Sequence, residues 1–203
     1  MALACVALVA LAAPKIEFSW RNPEYKGGAF QNILVLALNG KAANRAEFED
    51  QLAGVISRDG AKAYASYVFI ARPDATPIDM KDFRELVREQ KFDGIVVARL
   101  VKKENKTTYV PGEAYTLPYP YYNTFYGYYQ AVYPVVYTPG YMETEKTAQV
   151  EINFYSALKQ PDGELVWTGT TNNFDRTQVM KQIKGLAQVV GKELEKQNII
   201  PEK

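Results

Sequence analysis

The chain has 203 residues, 47% of them hydrophobic and 23% charged, with 24 Lys and Arg against 23 Asp and Glu. A net charge of +1 gives no electrostatic argument for recognition of nucleic acid or of an anionic membrane surface. Histidine is absent and Cys5 is the only cysteine, which removes the commonest general acid–base, the commonest metal ligand and any intrachain disulfide.

The chain opens on Ala2–Ala13, ALACVALVALAA, an apolar run too short for a membrane-spanning helix of about 20 residues. Ala10-Leu11-Ala12 supplies a small-x-small cleavage pattern and Pro14 follows, so residues 1–13 read as a secretory signal peptide lacking a basic start. Ala2-Leu3-Ala4-Cys5 also resembles a bacterial lipobox loosely, which would make Cys5 a lipidation site. The apolar residues behind Cys5 argue instead for a cysteine removed with the signal. Residues 14–31, with Pro23 and Gly27-Gly28, read as a leader draped over the body.

Residues 32–203 read as a single α/β domain. Asn32–Leu38, NILVLAL, is continuously apolar, the pattern of a strand buried on both faces. Asn39-Gly40 ends it, and Asn44-Arg45-Ala46-Glu47 forms a capping box ahead of Phe48, Leu52, Val55 and Ile56 at helical spacing. Asp59-Gly60 stops that helix. Ala63–Ile70 reads as a second strand. Asp79 caps a second helix carrying Phe83, Leu86 and Val87, and Ile95–Val101 is a third strand.

Past the tyrosine-rich segment the pattern resumes. Thr147–Leu158 alternates apolar and polar residues, Pro161-Asp162-Gly163 turns the chain, and Glu164–Thr170 returns as the partner strand. Asp175-Arg176-Thr177-Gln178 is a capping box for a long last helix, with Val179, Ile183, Leu186, Ala187, Val190 and Leu194 on one face. The expectation is a five-stranded mixed sheet, βαβαβ followed by an antiparallel ββ pair and a long C-terminal helix.

Between the third and fourth strands lies an insertion, residues 109–141, holding eleven of the fifteen tyrosines, five prolines, three glycines and one charge, Glu113. A packed helix or strand needs an apolar face, a polar back and few Pro or Gly. The insertion is therefore expected to project like a long hairpin tip. Phe125, Tyr129, Tyr133, Tyr137 and Tyr141 recur every four residues, but Pro134, Pro139 and Gly140 forbid more than a short helical turn within 123–132. Tyr119, Tyr121, Tyr122, Tyr126, Tyr128, Tyr129, Tyr133 and Tyr137 are the candidate partner-binding residues. A ring with a hydroxyl suits a protein interface or a sugar platform, and equally a loop packed on itself. The scarcity of Lys and Arg there weakens contact with lipid headgroups or single-stranded nucleic acid.

No catalytic signature stands out, and no metal site or cofactor is expected. Gly40-Lys41 occupies a strand-to-helix turn, yet NGKAAN lacks the glycine spacing of a phosphate loop. Glu47, Glu49 and Asp50 on the first helix are explained by solvent and the helix dipole, and Asp93 by the turn before Gly94.

FDGIVVARLV at the third strand, VEINFYSA followed by ELVWTGTT, and the terminal helix ending in ELEKQNII together resemble a widespread family of uncharacterised bacterial envelope proteins, often lipoproteins. Their fold is similar to the TolB N-terminal domain and to the lipoprotein activators of penicillin-binding proteins. The resemblance spans roughly residues 30–200 and implies a non-enzymatic binding or scaffolding module in the periplasm or at the outer membrane of a Gram-negative bacterium. Its expected partner is an envelope protein or peptidoglycan, with membrane contact only through a lipid anchor. A glycan-binding module is the alternative and a carboxylate-based enzyme the third reading.

Overall fold

The computed structural model describes residues 14–58, 60–71, 77–106, 124, 125, 127, 145–158, 163–172, 174–175 and 179–202. In chain order these form β1 (Ile16–Arg21), β2 (Asn32–Ala37), α1 (Ala42–Arg58), β3 (Lys62–Ala65), α2 (Met80–Glu89), β4 (Gly94–Lys106), β5 (Glu145–Ser156), β6 (Glu164–Thr171), β7 (Phe174–Asp175) and α3 (Val179–Lys196). One mixed sheet runs β1-β6-β5-β4-β2-β3, and β7 pairs with β5 off that path.

The five expected strands are present as β2 to β6, and the expected count is corrected by β1 and β7. The parallel pairs β2–β3 and β2–β4 are joined through α1 and α2, which is the βαβαβ order read from the sequence. Within the presumed leader, Ile16–Arg21 pairs antiparallel with β6 as an edge strand. Its mixed polar and aromatic composition, EFSWR, suits an edge with one solvated side and hides it from a search for apolar runs.

Strand alternation divides the interior in two. Ile33, Val35, Val96, Ala98, Val150, Ile152, Phe154 and Trp167 face α1 and α3. Leu34, Leu36, Leu38, Ile95, Val97, Tyr155 and Leu165 face α2. The continuous apolar runs of β2 and β4 follow directly, since both of their faces are covered. Each large side chain so buried contributes about 1.5–3 kcal/mol relative to exposure.

Helix α3 forms as expected, with Ile183, Leu186, Ala187, Val190 and Leu194 buried. The capping residues expected at 176–178 lie outside the described residues. A Cβ at Gly191 would overlap Val55 Cγ1, so this glycine lets α3 and α1 approach closely. Asp79 caps α2, its Oδ1 accepting the Lys81 and Asp82 amides at 2.8 and 3.3 Å. Helix α1 begins at Ala42, ahead of the expected cap at Asn44. The Arg45 amide donates to Lys41 O at 3.1 Å and Arg45 Nη1 to Gly40 O at 2.7 Å, which closes the first turn earlier. The second strand is likewise shorter than expected, because the chain turns into a 3-10 turn at Ser66–Val68.

Candidate functional site

Strands β4 and β5 pair antiparallel as far as Lys106↔Glu145, the two positions that flank residues 107–144 in the sequence. Eleven residues of β4 separate that pair from Ile95↔Tyr155 near the other end of the ribbon, roughly 35 Å at strand rise. Phe125 lies at this other end. Its ring meets Phe83 of α2 at 4.8 Å and 32°, and Tyr155 of β5 edge-on at 5.6 Å. The Cβ that Gly163 lacks would stand 3.4 Å from Phe125 Cβ, which sets Phe125 beside the turn joining β5 to β6. Phe125 is fully buried.

The expected projection of residues 109–141 falls, apart from 124, 125 and 127, outside the described residues, and of these Phe125 is packed against the core. Phe125 and Gly127 are helical, and Thr124 Oγ1 accepts the Gly127 amide at 3.1 Å, in keeping with the short turn expected within 123–132. Phe125 is also the only aromatic of residues 109–141 without a hydroxyl. Its ring can be buried with no polar group to satisfy, whereas burying a tyrosine hydroxyl costs free energy unless it finds a hydrogen-bond partner. The eight candidate tyrosines, Tyr119, Tyr121, Tyr122, Tyr126, Tyr128, Tyr129, Tyr133 and Tyr137, lie outside the described residues, as does Cys5.

On the same face a polar band crosses the sheet. The register aligns Phe18, Thr170, Glu151 and Arg99 in one row and Trp20, Thr168, Asn153 and Val97 in the next. Arg99 Nε and Nη2 both reach Glu151 Oε2, at 3.0 and 2.9 Å, and Asn153 Nδ2 donates to Glu151 Oε1 at 2.8 Å. Both oxygens of this buried carboxylate are thus engaged. The sequence showed the alternation of β5 but not that its polar side would be covered.

The other carboxylates weighed for chemistry are engaged as well. Glu49, expected in solvent, is buried: Oε1 accepts the Ala37 amide at 2.8 Å, and Oε2 accepts Ser66 Oγ at 2.9 Å and the Tyr67 amide at 3.2 Å. It fastens the ends of β2 and β3 to α1, and it stops β3 at Ala65. Asp93 accepts the Gln31 and Asn32 amides, both at 2.8 Å, holding the start of β2 against the turn before β4. Asp50 accepts the Tyr67 hydroxyl at 2.7 Å, and Glu47 accepts Gln51 Nε2 at 3.0 Å. Gly40, at φ +112°, makes a turn that only glycine adopts without strain. Among the described residues no cluster of acidic, Cys or His side chains could hold a metal ion, and no helix is long and apolar enough to cross a membrane.

No family model matches the chain, and no curated protein does. Among solved structures it is similar to the PelC dodecamer from Paraburkholderia phytofirmans, at 12% identity and a TM-score of 0.47, over 93% of this chain and 99% of that one. It is also similar to a DUF4136 family protein from Bacteroides thetaiotaomicron, at 8% identity and a TM-score of 0.46, over 93% and 98%. A third is lipoprotein GNA1162 from Neisseria meningitidis, at 8% identity and a TM-score of 0.36, over 80% and 99%. At such identities these likenesses speak to neither ligand nor chemistry.

Proposed function

We propose that this is an exported, non-enzymatic binding or scaffolding protein of the cell envelope, in the periplasm or at the outer membrane. Its tyrosine-rich segment contacts a partner protein or the cell wall. The apolar run at residues 1–13 supports export. The observation that supports the binding role is the composition of the segment around Phe125. That ring, the one in the segment that can be buried at no polar cost, fills the core. The tyrosines around it keep a hydroxyl beside each apolar face, the combination that serves a surface wetted when free and dry when bound. Engagement of Glu49, Glu151 and Asp93 by backbone and side-chain donors counts against a carboxylate-based reaction.

Because Phe125 belongs to the core, a deletion of the whole segment would confuse binding with folding. The informative variant keeps Phe125 and replaces the eight candidate tyrosines with serine. It is expected to unfold at the same midpoint as the parent while losing crosslinks to envelope proteins and co-sedimentation with peptidoglycan. Retained capture of both would overturn the binding role. Loss of sacculus binding alone would select the glycan reading.

A further inference from the structure

Strand β1 ends the sheet, and among the described residues no strand pairs with its outer edge. The Asn22 amide donates to Val166 O at 2.8 Å, so by antiparallel alternation Trp20 and Phe18 also turn their backbone groups toward β6. Ser19 and Arg21 turn theirs outward. The residues around Ser19 are self-complementary: Glu17 and Arg21 stand two places to either side, and Phe18 and Trp20 one place. Among the described residues neither Glu17 nor Arg21 has an ion-pair partner, and Arg21 Nε is buried without a hydrogen-bond acceptor. Phe18 is 46% exposed and Ser19 is exposed, so the edge is open.

We infer that β1 is the interface for a second copy of this chain, pairing antiparallel about Ser19. A two-fold axis there places the outward backbone groups of Ser19 against those of its mate. It sets Glu17 opposite Arg21 of the second copy twice over, and Phe18 beside the second copy's Trp20 on the other face. Edge strands are often guarded by charge, but guarding charges repel a copy of themselves, whereas this pair attracts one. The Ser19 side chain stays with its own subunit: Trp167 Nε1 donates to Ser19 Oγ at 2.9 Å, and Ser19 Oγ donates to Glu193 Oε1 at 2.7 Å. The two sheets would then continue as one.

Sedimentation of the full chain from about 1 to about 200 µM tests this, a range suited to a small interface. The parent is expected to form a dimer. Glu17→Arg alone, or Arg21→Glu alone, sets like charges together at two symmetric places and is expected to weaken the dimer by about tenfold or more. The double variant Glu17→Arg/Arg21→Glu restores complementarity and is expected to recover it to within about threefold. Glu17 is exposed and Arg21 half-buried on the edge strand, and circular dichroism checks that each variant is folded. A monomeric parent, a dimer indifferent to either reversal, or a double variant as weak as the singles overturns the proposal.

Discussion

Phe125 and Phe83 lie 4.8 Å apart between ring centroids, and this contact joins the tyrosine-rich segment to the helix covering one face of the sheet. Phe125 is thereby part of the domain's packing. Phe125→Ala would leave a cavity among Phe83, Tyr155 and Leu165 and is expected to cost about 3–5 kcal/mol in chemical denaturation. A cost below about 1 kcal/mol would mean that the ring does not seal this core.

Glu49 should behave as a structural carboxylate. Glu49→Ala strands the Ala37 and Tyr67 amides and the Ser66 hydroxyl, with an expected loss of about 2–4 kcal/mol. Glu49→Gln keeps one acceptor and should lose about half as much. Equal, negligible losses in thermal unfolding would return Glu49 to solvent.

The Arg99–Glu151 pair should show energetic coupling. Removing either partner leaves a buried charge unmatched, so Arg99→Leu and Glu151→Leu are each expected to destabilise more than their share of the double variant. A double-mutant cycle should give a coupling of at least about 1 kcal/mol. Strict additivity would contradict the geometry.

Alkaline pH should weaken the fold through Tyr25. Burial raises its pKa above the ordinary 10.0, Glu164 and Asp93 add to the rise, and the hydrogen bond with Ser156 opposes it. A folded pKa above the unfolded one gives a contribution complete below pH 10 and lost as pH climbs through the folded value. Tyr67, whose hydroxyl donates to Asp50, shifts in the same direction. Tyr25→Phe should therefore flatten part of the stability decline above pH 10 and leave the curve below it parallel to the parent's. An unchanged alkaline slope would count against the burial of this hydroxyl.

How much of this was legible depended on whether one residue's surroundings were local. The runs ILVLA and IVVA announce buried strands because every side chain in them is apolar. The face of α3 is equally plain, because its period is set within one element. Glu49 was misread because its partners, Ala37 and Ser66, lie on two different strands, and no spacing along α1 shows that they converge. β3 was overextended for the same reason. Strand β1 escaped notice because an edge strand has no continuous apolar signature. In the insertion the composition drew the eye to tyrosine, and among the described residues the ring packed in the core is Phe125, the lone phenylalanine of the segment.

The most direct measurement is nitration of the purified full chain, with each tyrosine followed by peptide mass spectrometry. Exposed Tyr64 and Tyr67 mark the reactive limit, and buried Tyr155 and Tyr25 mark the inert one. The account predicts that Tyr119, Tyr121, Tyr122, Tyr126, Tyr128, Tyr129, Tyr133 and Tyr137 react like the first pair and become protected when envelope fractions are added. Eight tyrosines as inert as Tyr155 in the isolated chain would contradict it.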